Sequence, residues 1–151
     1  MPDPESGGPA ANATGATNVK GRRLVTTGTK YEFQFGYSRA VRHGNVVRVS
    51  GTAGLDENGQ VVADDVAAQL RRSIEIVSQA LEELGSELSD VIMTRIYLAD
   101  LRDAEAVAVV HGDAFRDIRP ATTIVKTEFV DPKVLVEIEA EAIGGGAEGK
   151  L

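Results

Sequence analysis

The sequence of 151 residues contains no cysteine and no tryptophan, and its only histidines are His43 and His111. Without cysteine the chain cannot form a disulfide framework, a thiolate metal site, an iron–sulfur cluster or a cysteine nucleophile. Two histidines leave little from which to build a zinc site or a histidine-based catalytic triad. The absent residue types therefore exclude many chemistries without indicating one.

Basic residues are also in deficit, with 16 Lys and Arg against 23 Asp and Glu, a net charge of −7. Binding to nucleic acid or to an anionic membrane surface requires clustered cations, so we expect neither partner. No apolar run reaches the roughly 18–20 residues of a membrane span, and the first residues lack the pattern of a signal peptide. These observations predict a cytoplasmic protein.

The two ends of the chain are poor in large apolar residues. Residues 1–21 are rich in Pro, Gly, Ala and Asn, and we expect a disordered tail because such a segment buries too little surface to offset its ordering entropy. Residues 144–151 begin with three glycines and are expected to form a flexible C-terminal tail. One domain, residues 22–143, lies between them.

Glycine-containing turns divide the start of this domain into strands. Residues 37–42 and 46–50 are β-prone, and Gly44 between them supplies the positive φ of a tight hairpin. Asn58-Gly59 is the strongest turn signal in the chain and predicts a second hairpin.

An amphipathic helix follows these strands. Asp64-Asp65 offers an N-cap rather than a metal pair, and Gly85 predicts the end of the helix. Apolar residues recur between them at spacings of three and four, at Val66, Leu70, Ile74, Val77, Leu81 and Leu84.

The second half of the domain predicts a strand at 91–98, a shorter helix that begins after Asp103, a strand at 122–129 and a strand at 134–143. The order ββ(β)αβαββ predicts an α+β fold in which two helices pack on one face of a mixed β-sheet. The opposite sheet face would carry Arg95 and a row of carboxylates, which favours a homo-oligomer with sites between subunits.

Several segments then point to a known family: GYSRAV at 36–41, GNVVRVSG at 44–51, the helix end at 84–85, DVIMTRIYLADL at 90–101, RPATT at 119–123 and VEIEA at 136–140. Together they resemble the Rid family of reactive-intermediate deaminases, also called YjgF/YER057c/UK114. The resemblance implies a chorismate-mutase-like fold, a homotrimer with a cleft between each pair of subunits, and no cofactor. Active members hydrolyse enamines and imines left by pyridoxal-phosphate enzymes, and release ammonia and a 2-keto acid.

The resemblance also assigns site residues. Glu137 matches the glutamate that positions the hydrolytic water, and Tyr37 matches a cleft tyrosine. Thr122 occupies the position where active deaminases carry an arginine that binds the substrate carboxylate through its planar fork. The family's cleft asparagine corresponds to Ala108.

The loss of the arginine that Thr122 replaces favours a ligand without a carboxylate, unless a different cation takes its role. Arg95 and Arg119 are the candidates for this cation. The substrate-binding candidates are then Tyr37, Thr122, Arg95 and Arg119. Glu137 is the catalytic candidate, and no metal ligand is expected.

Each candidate has a simpler interpretation. Glu137 shares a strand face with Glu139 and Glu141 and could belong to a solvated row of carboxylates. Tyr37 could be a packed aromatic residue, and Arg95 could pair with a glutamate on the sheet surface. The sequence thus leaves two functions open: hydrolysis of a small reactive enamine or imine, and a non-catalytic metabolite-binding or regulatory role.

Overall fold

Seven strands and three α-helices form the part of the chain that the computed structural model describes, residues 16–28 and 30–144. In chain order they are β1 (Thr17–Val19), β2 (Arg22–Val25), α1 (Lys30–Phe35), β3 (Ala40–His43), β4 (Val46–Ala53), α2 (Val66–Glu83), β5 (Val91–Leu98), α3 (Ala104–Phe115), β6 (Ala121–Lys126) and β7 (Val136–Ile143). Short 3₁₀ turns at Leu88–Asp90 and Leu101–Asp103 precede β5 and α3.

The strands form one sheet in the order β1-β2-β3-β4-β7-β5-β6. Strand β7 is last in the chain but lies in the interior of the sheet, antiparallel to both β4 and β5. The β5–β6 pair is parallel because α3 connects them. The mixed sheet confirms the predicted α+β class.

Helix α2 is built as its sequence predicts. The Asp65 carboxylate accepts a hydrogen bond from the Ala68 backbone N–H at 2.8 Å, which caps the N-terminus. Gly85 has a φ of 75° and follows the helix end, where a residue with a side chain would be strained. The apolar stripe of α2 packs on β4, β7 and α3.

The core lies between the helices and one face of the sheet. On β7 the core side chains alternate with outward carboxylates, so that Val136, Ile138, Ala140 and Ala142 are buried. Gln69 of α2 is also fully buried, and its amide donates to the backbone oxygens of Ala63 and Lys133 and accepts from the Leu135 backbone N–H. This side chain ties α2 to the loops before it and before β7.

Four elements differ from the sequence prediction. Strand β1 falls inside residues 1–21, which were expected to be disordered; it pairs with β2, and Ala16 and Thr17 are buried. Residues 1–15 and 145–151 lie outside the described residues, so the rest of the tail predictions stay predictions. Helix α1 was not predicted, since six residues are too few to show a helical period. Strand β6 ends at Lys126 and β7 begins at Val136, both shorter than expected.

The sheet face opposite α2 and α3 carries polar and charged side chains. Arg95 pairs with Glu139 at 3.4 Å, Arg48 pairs with Glu141 at 3.6 Å, and the Tyr97 hydroxyl donates to Glu139 at 2.6 Å. The row of carboxylates predicted for this face is therefore present and is partly paired. In the described ranges, no helix has both the length and the apolar character needed to cross a membrane.

Gly54 provides a test of this packing. A Cβ atom at Gly54 would lie 2.3 Å from the Gln69 backbone oxygen, so Gly54→Ala must displace α2 from β4. We expect a loss of about 1–3 kcal/mol in the free energy of unfolding, measured by urea denaturation. Gly112→Ala is the matched control: a Cβ there meets nothing within 4 Å, and alanine should stabilise α3 by about 0.5–1 kcal/mol. Equal stability of the two variants would contradict this packing.

Candidate functional site

A cavity of about 440 Å³ brings together Tyr37, Arg39, Gly51 and Glu137. Its remaining wall comes from the β2–α1 connection, the loop after β4 and the C-terminal half of α2. That wall contributes the charged residues Asp56, Glu57, Arg72 and Glu83. The volume suits a small metabolite.

Backbone hydrogen bonds fix the segment that carries Tyr37 and Arg39. The Tyr37 N–H donates to the Glu32 carbonyl at 2.9 Å, and the Arg39 N–H donates to the Val25 carbonyl at 2.7 Å. Ser50 closes the segment against β4, since its N–H donates to the Arg39 carbonyl and its hydroxyl to the Ser38 carbonyl. The two cavity side chains therefore start from a fixed backbone.

A β-bulge in β4 shapes the floor of the cavity. Val49 pairs with Ala140 and Thr52 with Ile138, so β4 has one residue more than β7 over this stretch. Gly51 lies within the bulge, and a Cβ atom there would be 2.8 Å from Oε1 of Glu137. The absence of a side chain at Gly51 therefore makes room for the carboxylate.

Glu137 is a half-buried carboxylate with few partners. It accepts no hydrogen bond and forms no ion pair with any residue that the structure describes. Burial raises the pKa of Glu137 above the ordinary glutamate value, and the nearby Arg39 charge offsets part of this rise. A carboxylate with a raised pKa is a stronger base than an exposed one, as proton transfer requires.

Arg39 supplies positive charge to the same cavity. Its Nη2 donates to the Gly51 carbonyl at 2.6 Å, which places the guanidinium beside the bulge. Burial lowers the pKa of Arg39, while Glu32, Tyr37 and Glu137 act against this shift. The sequence analysis did not single out Arg39, although it lies in the GYSRAV segment two residues after Tyr37.

Thr122 lies elsewhere, on the side of the sheet that faces α3. Its hydroxyl is 2.8 Å from the hydroxyl of Thr94, which is in turn 2.9 Å from Nε2 of His111. The His111 ring stacks on Phe115 with centroids 4.6 Å apart, and burial lowers the pKa of His111. His111 is thus a core-edge histidine that holds β5 and β6 against α3.

The other two candidates are also outside the cavity. Arg95 is on the open sheet face and pairs with Glu139, as the simpler interpretation of this residue held. Arg119 is exposed after α3, with a φ of 57° immediately before Pro120. The structure therefore brings Tyr37 and Glu137 together within one copy of the chain, and it does not bring Thr122, Arg95 or Arg119 to them.

Comparison with known proteins identifies relatives of this chain. The sequence model of the family described as endoribonuclease L-PSP matches residues 29–144. The chain is 38% identical over 107 residues to the 3-aminoacrylate deaminase RutC of Acinetobacter baylyi, which covers 70% of this chain and 85% of RutC. It is 36% identical over 107 residues to a RutC family protein of Pyrococcus abyssi, covering 70% of this chain and 84% of that protein.

The solved structures include Rv2704 of Mycobacterium tuberculosis, described as a member of the YjgF/YER057c/UK114 family. It matches with a TM-score of 0.74 and 42% identity, over 81% of this chain and 98% of Rv2704. The fold and the sequence thus identify the same group of relatives.

The raised pKa of Glu137 predicts a stability effect. A carboxyl whose folded pKa exceeds its unfolded pKa destabilises the folded state once the pH rises through the two values. We therefore expect Glu137→Gln to raise the melting temperature at pH 7, and the difference to vanish in acid, where both side chains are neutral. Glu139→Gln is the control and should not raise it, because Glu139 accepts a hydrogen bond from Tyr97 and pairs with Arg95. Calorimetry between pH 3 and pH 8 measures both; a lower melting temperature for Glu137→Gln at pH 7 would refute the burial argument.

Proposed function

Because the chain belongs to the YjgF/YER057c/UK114 family, we propose that it hydrolyses a small reactive enamine or imine in the Tyr37–Glu137 cavity. The observation that carries the proposal is the joint placement of Tyr37, Arg39 and a half-buried Glu137 with a raised pKa. Desolvated acid–base groups in a cavity are typical of catalytic sites.

A small substrate suits this cavity better than RNA, despite the name of the family model. Carboxylates of Asp56, Glu57, Glu83 and Glu137 line the cavity, and the whole chain has a net charge of −7. A phosphodiester chain needs clustered cations along its path, and these carboxylates would repel it.

The proposed reaction is hydrolytic deamination. The enamine first tautomerises to the imine, whose nitrogen takes a proton from solvent, and a water oxygen attacks the iminium carbon while Glu137 takes a proton from that water. The nitrogen of the resulting carbinolamine is protonated by Glu137, the C–N bond breaks with its electron pair going to the departing ammonia, and the hydroxyl returns a proton to solvent as the carbonyl forms. One water is consumed, one ammonia and one 2-keto acid leave, and Glu137 returns to its starting state.

Tyr37 would contact the substrate from the exposed side of the cavity, since the residue is 45% exposed. We further propose a homotrimer in which a neighbouring copy closes this exposed side. The support is that every residue of the edge strand β6, Thr122 included, is exposed in the single chain. A cytoplasmic location stays a prediction from the sequence.

A non-catalytic, metabolite-binding role is the second candidate. The observation that favours it is Thr122, whose hydroxyl is already engaged by Thr94 and the Pro120 carbonyl and brings no charge. The assay described next separates the two functions.

The test generates 2-aminoacrylate in situ with a pyridoxal-phosphate dehydratase and follows pyruvate release; 3-aminoacrylate, which yields a 3-oxo acid, is a second substrate and is followed by ammonia release. We expect the protein to accelerate release, and Glu137→Gln to lower kcat/KM by about 10²-fold or more, the usual contribution of general acid–base catalysis. Glu82→Gln, on the exposed face of α2, is the matched control and should leave the rate unchanged.

If the wild-type protein accelerates neither reaction, the deaminase proposal fails and the binding role is favoured. Acceleration that survives Glu137→Gln would instead refute the assignment of Glu137.

A further inference from the structure

We propose that Arg39 binds the carboxylate group of the substrate and thereby determines the specificity of this site. The inference rests on the proposed function and concerns the same cavity. It concerns which residue of this chain takes the carboxylate of the small substrate, since Thr122 brings no charge.

The hydrogen bonding of Arg39 is incomplete. Nη2 donates to the Gly51 carbonyl, but Nε is buried and has no hydrogen-bond partner among the described residues. The guanidinium also forms no ion pair with a described carboxylate. A buried donor without an acceptor is costly, and such groups in a native structure often have a functional reason. Arg39 lines the cavity, so a ligand carboxylate there can contact the guanidinium directly, which no described carboxylate does although the charges of Glu32 and Glu137 act on it from a greater distance.

The other cation of the cavity wall is already engaged. Arg72 donates from Nε to the Leu55 carbonyl at 2.8 Å, and its Nη1 pairs with Glu75 at 3.2 Å. Arg95 is similarly held by Glu139 on the open sheet face. Within the described part of the cavity wall, Arg39 is therefore the arginine that has no carboxylate in direct contact.

The charges around the cavity indicate which other group the ligand carries besides its carboxylate. Glu137 and the carboxylates Asp56, Glu57 and Glu83 outnumber the two arginines, so a simple anion gains nothing from the overall field. An anion is favoured only in direct contact with Arg39, and a cationic nitrogen is favoured near the carboxylates. A protonated 2-imino acid has both groups on adjacent carbons.

Arg39 and Glu137 both lie beside Gly51. Arg39 donates to the Gly51 carbonyl, and Oε1 of Glu137 lies 2.8 Å from the position that a Cβ atom of Gly51 would take. Arg39 and Glu137 thus flank one residue of the bulge without forming an ion pair. A ligand lying across the bulge can contact both, with its carboxylate on Arg39 and its imine carbon toward Glu137.

Binding of L-alanine and L-alaninamide, measured by NMR titration of the full chain, tests this role. The two probes share the ammonium group and differ in the carboxylate. We expect Arg39→Gln to weaken L-alanine binding by about 10–100-fold, as expected for loss of a charge-assisted contact, and not to weaken alaninamide binding. Arg71→Gln, on the exposed side of α2, is the matched control and should bind both probes as the wild type does.

A titration of the wild-type protein tests the inference even if the Arg39→Gln variant does not fold. The side-chain Nε resonance of Arg39 should shift on titration with L-alanine and much less with alaninamide. An unshifted resonance, or a variant that binds L-alanine as tightly as the wild type, would overturn the inference.

The deamination assay distinguishes failure of this inference from failure of the proposed function. If the wild type turns over 2-aminoacrylate and Arg39→Gln is equally active, the role of Arg39 is refuted and the hydrolase proposal stands. If Arg39 shows the expected binding selectivity but the wild type has no activity, the hydrolase proposal fails and Arg39 stands as the carboxylate-binding residue.

Discussion

The pairing of β7 on both edges is the constraint on which the rest of the structure depends. Its antiparallel partners are β4 on one side and β5 on the other, so the last strand of the chain joins the two halves of the sheet. Its alternating side chains put Val136 and Ile138 in the core and Glu137 and Glu139 on the opposite face. Core packing therefore fixes the register of β7, since a slip of one residue would bury its carboxylates. This register in turn places Glu137 on the face opposite the core.

Glu137 and Glu139 are only two residues apart on the same face of β7, yet their carboxylates have different surroundings. Glu139 is partnered by Tyr97 and Arg95, and such a carboxylate is a structural group. Glu137 has no hydrogen-bond donor among the described residues and lies against the bulge of β4, where burial raises its pKa. The bulge thus distinguishes one member of a surface row as a half-buried carboxylate with a raised pKa, and bulges are frequent beside functional sites.

Local patterns allowed much of the fold to be predicted, and the exceptions have physical causes. Three features of α2 could be predicted because each depends only on residues nearby in the sequence. They are its apolar stripe, its cap at Asp65 and its end at Gly85. Strand β1 is stable only because it pairs with β2, a contact that its composition does not show. The joint placement of Tyr37 and Glu137 followed from family resemblance. Arg39 was missed because its position beside Glu137 depends on the one-residue bulge, and a period-of-two pattern does not reveal a bulge.

Gly51 illustrates how fold and site can be under separate selection. Its missing side chain leaves space for the end of a flexible glutamate, whereas Gly54 leaves space for the rigid backbone of α2. A side chain at position 54 meets atoms that cannot move without disturbing the core, but one at position 51 meets a carboxylate that can rotate away. A substitution at Gly51 therefore displaces the Glu137 carboxylate before it disturbs the core. A library of variants sorted only for folded protein would retain substitutions at this position, so selection for folding alone does not preserve the geometry around Glu137.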